Sequence, residues 1–246
     1  MNHNRPECDA IIIYYNEINS LVECCLSFRK YYSTGNLMVA RDTLPPIIIP
    51  ELNMLNPVYL PSYSTTQLFI DLQNANRELK TLTLQEFNEK ISQDLQRLTS
   101  ALDSCKTEYL IYLEADSLVL GRVVISEDFQ MDTLDANRYS RKFLRRIRQI
   151  SGRQLPVKGW GFVTGYLKCE SAKNMLAWSK VHPEVLEELF LLDPRMAYLD
   201  FFFPVLAHLS GVDIGKSFQV GECLRDPKWE NSNYTLLHQY RTAYTK

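Results

Sequence analysis

Two short runs limit the fold more than anything else in the sequence. DAIIIYY (Asp9–Tyr15) and EYLIYL (Glu108–Leu113) are unbroken stretches of β-branched, aromatic and aliphatic residues, without the polar alternation of a strand that has one wet face. A strand buried on both faces needs cover on both, and helices packed on a mostly parallel sheet supply it. The intervening sequence fits that scheme. Ile18, Leu21, Val22, Cys25, Leu26 and Arg29 step along one helical face, and Asn36–Ala40 then gives a second strand. Strand, helix, strand in that order predicts a right-handed parallel crossover. Further on, a helix is expected around Thr65–Lys80, with Leu68, Phe69, Leu72 and Leu79 inward. Thr83 with Glu86 three residues later reads as a capping box for a second helix, whose stripe is Leu84, Phe87, Ile91, Leu95, Leu98 and Leu102. The expected class is α/β, with a mixed, mostly parallel central sheet flanked by helices.

The ends of these strands carry the polar residues. The first breaks at Asn16-Glu17, the second at Arg41-Asp42, and Glu108–Leu113 stops at two carboxylates one residue apart, Glu114 and Asp116, around Ala115. Parallel strands put all three ends on one edge of the sheet, where ligands of open α/β sheets bind. Two acids separated by a small residue can present oxygens to a hard divalent cation that also holds a diphosphate, or can simply form a polar turn. Arg41 and Asp42 read equally as a salt bridge in a loop.

Proline at 45, 46, 50, 57 and 61 confines residues 44–63 to edge strands or extended connections. Residues 138–153 hold Arg138, Arg141, Lys142, Arg145, Arg146, Arg148 and Arg153, the one strongly basic element of the chain. It suits a phosphate or an anionic acceptor, or is a solvated face balanced by Glu127, Asp128, Asp132 and Asp135. GWGFVTGYLK follows as a glycine-punctuated strand or hairpin in which Gly159, Gly161 and Gly165 let backbone approach a ligand. Residues 171–180 and 183–191 read as helices. Asp200 opens another, as an N-cap or as a functional acid, Gln219–Glu222 is a last strand, and the tail sets His238 among Tyr234, Tyr240 and Arg241.

At 246 residues, 46% of them hydrophobic, the chain is expected to form one large α/β domain. Lys and Arg total 27 against 29 Asp and Glu, a net charge of −2, so no global field recruits nucleic acid or an anionic membrane. No apolar run approaches the ~20 residues of a bilayer span, and MNHNRPECDA has no signal core, so the expected location is cytoplasmic. Cys8, Cys24, Cys25, Cys105, Cys169 and Cys223 show no C-x-x-C spacing and read as buried thiols, neither zinc ligands nor disulfides. Asn233-Tyr-Thr235 reads as a chance glycosylation triplet.

Across residues 10–240 the order of these features resembles the GT-A-fold nucleotide-sugar glycosyltransferase superfamily, a Rossmann-like architecture. IIIYYNE looks like its first strand and nucleotide-binding turn, which implies donor contacts from Tyr14, Tyr15, Asn16 and Glu17. Glu114-Ala115-Asp116 is similar to its metal-binding Asp-x-Asp element, with Glu in place of the first Asp. GWGFVTGY stands where that superfamily has a glycine-containing loop near the donor sugar, implying roles for Gly161 and Gly165. Leu199-Asp200 resembles the element whose final Asp is the base of inverting members, and Leu237-His238 resembles the C-terminal His that completes the metal site. The second strand ends in Ala-Arg-Asp where the superfamily usually has acids that bind base and ribose, and this leaves Arg41 and Asp42 as donor candidates of open specificity.

The resemblance implies a nucleotide-binding half over about residues 9–121 and an acceptor and catalytic half over about 122–246. It further implies a glycosyltransferase with Mn2+ or Mg2+ on Glu114, Asp116 and His238, a nucleotide-sugar donor, a glycan, lipid-linked or protein acceptor, and inversion through Asp200. A sugar nucleotidyltransferase would carry a glycine-rich loop after the first strand, which YYNE lacks. A binding module that kept the fold and lost the chemistry is the third reading.

Overall fold

The structure is a computed structural model that describes residues 5–43, 47–75, 77–131, 139–156, 165–216, 220–222 and 234–238. In chain order the elements are β1 (Asp9–Tyr14), α1 (Ile18–Tyr31), β2 (Leu37–Arg41), β3 (Val58–Tyr59), α2 (Thr65–Asn74), α3 (Leu84–Ser104), β4 (Tyr109–Glu114) and β5 (Leu118–Val119). They continue as β6 (Phe129–Met131), α4 (Arg141–Ser151), β7 (Gly165–Lys168), α5 (Cys169–Val181), α6 (Pro183–Leu192), α7 (Leu199–Leu209), β8 (Ile214–Lys216), β9 (Val220–Glu222) and β10 (Leu236–His238).

Seven strands form the central sheet in the order β3-β2-β1-β4-β7-β6-β8, and β5-β10-β9 form a second, small sheet. The expected mixed, mostly parallel sheet is present: β7 runs antiparallel to its neighbours β4 and β6, and the other pairings are parallel. Register brings the carboxyl ends of β1, β2 and β4 level with one another, because Tyr14 pairs with Arg41 and Ile13 with Glu114. Both faces are covered. Ile11, Ile13, Met38, Ala40, Leu110 and Tyr112 pack against α3 and α7, while Ala10, Ile12, Leu37, Val39, Ile111 and Leu113 pack against α1. Burying one such aliphatic side chain is worth roughly 1.5–3 kcal/mol, and a one-residue slip of β1 or β4 would exchange the two sets.

The opposite, amino edge is pinned by Asp9. Its Oδ1 accepts from Asn36 N at 2.5 Å, and its Oδ2 accepts from Lys106 N and Thr107 N, both at 2.7 Å. One buried carboxylate thereby ties the starts of β1, β2 and β4 with charge-assisted bonds.

Several elements differ from the sequence expectation. α2 stops at Asn74, and a 3-10 turn at Leu79–Thr81 follows. Between them, Arg77 donates to Thr81 O and to Glu86, bending the connection back onto the start of α3. The capping box of α3 is present, with Glu86 N donating to Thr83 Oγ1 and Thr83 N to Glu86 Oε2. Pro50 opens a 3-10 helix to Leu55, and Val58–Tyr59 form an edge strand on β2, as dense proline requires. The tail adds β10, too short for any periodicity to show. Cys8, Cys24, Cys25 and Cys169 are buried free thiols and Cys105 is a half-buried one; Cys223 and Gly159 lie outside the described residues.

Candidate functional site

β1, β2 and β4 end level with one another, so their last residues form one ledge. Tyr14 is buried there, and its Oη has no hydrogen-bond partner among the described residues. Burial raises its pKa, against the opposing pull of the Arg41 charge. After β1 the chain turns on Glu17, whose Oε2 accepts from Tyr15 N at 3.1 Å and Asn16 N at 3.0 Å. Arg41 Nη2 reaches Asn16 Oδ1 at 3.3 Å. Tyr14, Tyr15, Asn16, Glu17 and Arg41, singled out from two separate segments, are thus one contiguous group.

Asp42 faces inward. Its Oδ1 accepts from Thr65 N at 2.9 Å and from Arg97 Nη2 at 2.7 Å, and Thr65 Oγ1 lies 2.8 Å away, so this carboxylate both caps α2 and pairs with α3. Arg97 is almost fully buried. Burial pulls its guanidinium pKa down, but the charges of Asp42 and Asp94 outweigh that and hold it above its ordinary value. Asp94 also takes Lys90 Nζ at 2.5 Å. Sequence reasoning missed this network, although its signal is there: Lys90, Asp94 and Arg97 recur at helical spacing within the apolar stripe of α3.

β4 closes on Glu114, and a tight turn returns Ser117 N to Glu114 O at 3.0 Å around Ala115 and Asp116. Ala115 N donates to Ile13 O at 2.9 Å, which fastens the turn to β1, and Ala115 is buried. Glu114 alternates with Leu113 and so shares the sheet face of Tyr112. Asp116 lies on the α1 side: the Cys24 thiol is pushed well up by burial first, and then by the charges of Cys25 and Asp116. Both acids are half-buried.

The small sheet adds the tail to this turn. Leu237 pairs with Leu118 and Leu236 with Val119, antiparallel, so His238 follows one residue beyond the Leu118 pair, beside the segment that leaves Asp116. His238 also pairs with Glu222 across β9. More than a hundred residues of sequence separation therefore close at the backbone; the His238 side chain lies outside the described residues.

Asp200 reaches the same edge by another route. α7 leads through residues 210–213 into β8, which starts level with Leu110 through the pairs Ile214–Phe129, Phe129–Leu167 and Leu167–Leu110. Phe203 meets Tyr112 edge-on at 6.3 Å, so α7 runs back along the sheet and its first turn, with Asp200, stands at the carboxyl edge on the Glu114 face. Pro204 has no N–H to give the Asp200 carbonyl, which loosens that turn. Tyr198 stacks on Phe69 of α2 at 4.8 Å and so joins the start of α7 to the helix that Asp42 caps. Gly165 opens β7 opposite Tyr112; Gly161 lies outside the described residues.

The donor set at β4 is oxygen-rich and suits a hard divalent cation, which takes one or two carboxylates and fills its remaining positions with phosphate oxygens and water. Among the described residues no cluster of three or more His, Cys, Asp or Glu side chains forms a complete protein cage.

No family model matches the sequence, and no curated protein matches it. Solved structures similar to the chain include the galactosyltransferase LgtC in complex with donor and acceptor sugar analogues, at 12% identity over 94% of this chain and 86% of that one, with a TM-score of 0.45. An active-site mutant of LgtC aligns at 11% identity and a TM-score of 0.48 over the same shares, 94% and 86%. The apo form of mouse xyloside xylosyltransferase 1 aligns at 8% identity over 95% of this chain and 97% of its own, with a TM-score of 0.47.

Proposed function

We propose that this protein transfers a sugar from a nucleotide-sugar donor to an acceptor hydroxyl with the help of a divalent cation, Mn2+ or Mg2+. The observation that carries the reading is the convergence at one sheet edge of the Glu114-Ala115-Asp116 turn, the Tyr14–Glu17 turn with Arg41, and the first turn of α7 with Asp200.

Glu114 and Asp116 are the residues that would hold the cation, with His238 from β10 beside them. A cation there supplies neutralisation of the charge on a departing diphosphate. Tyr14 and the Tyr15–Glu17 turn form the wall against which the nucleotide would lie, with Arg41 adding a positive charge close to its phosphates. Asp200, on the Glu114 face, is the base for the acceptor hydroxyl if the anomeric centre inverts. Asp42 supports this wall from behind, because its carboxylate fixes the end of β2 to α2 and α3.

The test is a panel of nucleotide sugars incubated with the protein, with manganese and with chelator, and read by mass spectrometry for released nucleotide and sugar. Metal-dependent release from one donor is the expected result. Release that requires a nucleoside triphosphate would identify a nucleotidyltransferase, and binding without release would identify a module that has lost the chemistry.

A further inference from the structure

α4 is the basic element of the sequence, and its packing gives it a direction. Phe143 and Ile147 are buried; Phe143 lies 5.2 Å and Tyr139 4.6 Å from the Phe201 ring, centroid to centroid. At the other end, Ser151 Oγ lies 3.0 Å from His208 Nε2. Early residues of α4 meet early residues of α7, and late ones meet late ones, so the two helices are parallel. The first turn of α4 therefore stands beside the first turn of α7, at the edge that bears Asp200.

The outer face of this helix is cationic. Arg141, Lys142, Arg145 and Arg148 are exposed and make no ion pair among the described residues, whereas Arg146 is held by Glu188 at 2.6 and 2.7 Å. Of the upstream acids, Asp128 accepts from Ser171 Oγ at 3.0 Å, on α5, and Asp132 and Asp135 lie outside the described residues. This arrangement works against the helix itself. The first turn holds two cations and no acid, at the positive end of the helix dipole, and Arg141–Arg145 and Arg145–Arg148 are like-charged neighbours at helical spacing. Arg141, Lys142 and Arg145 are kept where they disfavour the helix, and Arg148, which suits the last turn, extends their exposed row; with no ion pair to them among the described residues, the row suits an external polyanion.

We infer that the exposed face of α4 binds an anionic oligosaccharide, one carrying uronate or sulfate groups, and guides it toward the edge marked by Asp200. The inference rests on the glycosyl-transfer reading for its direction, and it names the class of the acceptor. Arg141 to Arg148 covers about 10 Å along the axis, long enough for successive charges of one extended chain. A bilayer is disfavoured as the partner because the apolar residues of α4 are already in the core, and nucleic acid because the exposed face has no aromatic ring for a base to stack on.

The experiment measures binding of the full chain, without donor, to a heparin-derived oligosaccharide, a polyuronate oligosaccharide, a neutral glucan oligosaccharide and phosphatidylserine vesicles, across a salt series. The acidic oligosaccharides are expected to bind with strong salt dependence and the neutral one not at all. Joint replacement of Arg141, Lys142, Arg145 and Arg148 by Gln should weaken binding by roughly 10-fold or more, and a set with Lys at all four positions should retain most of it. Metal-dependent donor hydrolysis should be unchanged in both sets. Equal affinity in the Gln set, binding of the neutral chain, or binding to vesicles alone overturns the inference. Because hydrolysis is read separately, binding through α4 without any donor turnover would sink the transferase reading and leave the surface standing, and turnover without acidic-chain binding would do the reverse.

Discussion

Arg97 Nη2 sits 2.7 Å from Asp42 Oδ1, both residues are buried, and the pair joins the residue that follows β2 to the second half of α3. An ion pair taken out of water gains little net stability, but breaking it leaves the remaining charge without compensation. Arg97→Ala would leave Asp42 its bonds from Thr65 but take the guanidinium charge from both Asp42 and Asp94, and should cost about 3–5 kcal/mol. Urea denaturation would reveal it, and a loss under ~1 kcal/mol would show that water reaches the carboxylates.

Gly35 has no room for a side chain: a Cβ there would fall 1.9 Å from Cys8 O and 2.7 Å from Cys8 C, both backbone atoms. Gly35→Ala must push the β2 approach away from the start of β1, in the region that Asp9 pins through Asn36 N. A loss of at least ~1–3 kcal/mol is expected, as for overpacking of a core. An unchanged melting temperature would show that the two segments separate freely.

Asp116→Asn should abolish the metal dependence of donor binding without unfolding the chain, because the amide keeps the shape and loses the negative charge a hard cation needs. The loss should exceed the roughly 10-fold that removal of a residue behind a metal ligand produces. Calorimetry with manganese and donor would measure it; unchanged affinities would make this a plain turn.

Asp200→Asn should lower turnover by roughly 100- to 10,000-fold while donor affinity stays within a few fold, since a general base acts on the transition state. Single-turnover kinetics beside donor titration separates the two effects. Turnover at the parent rate would leave Asp200 only the favourable position of an acid in the first turn of α7.

What the sequence made legible follows the strength of its local signals. β1, α3 and β4 could be read because their apolar positions recur with one period over whole elements, and the site edge followed from parallel strands ending together; α1 is where expected, but its buried face runs through Leu21, Cys24, Cys25 and Phe28 and leaves Ile18 and Leu26 exposed. β9 was read within Gln219–Glu222, but β5 and β10 could not be, being two or three residues long and held by pairing with distant segments. Asp42 shows the limit for single residues: its position at a strand end was plain, but its partner Arg97 lies 55 residues on, inside a helix whose apolar stripe hid the charge. The direction of the basic segment was equally hidden, because a parallel contact between α4 and α7 is a property of packing.

His208 should make stability depend on pH in a narrow window. It is buried in α7, with its Nε2 3.0 Å from Ser151 Oγ and its carbonyl held by Arg153 Nη2 at 2.9 Å. Burial, and then the Arg153 charge, lower its pKa below the usual 6.5. The unfolded chain binds this proton more readily than the folded one, so the contribution is fully present above pH ~6.5 and is lost as pH falls toward the lower folded value. Within that window the slope is about 1.4 kcal/mol per pH unit for one proton. His208→Gln keeps a group that can bond Ser151 but cannot titrate, so the difference in urea midpoint between parent and variant should shift between pH 7.5 and 5.5 in the variant's favour. A difference that stays constant across that range would mean that the ring takes up its proton in place, with Ser151 and solvent accommodating the charge.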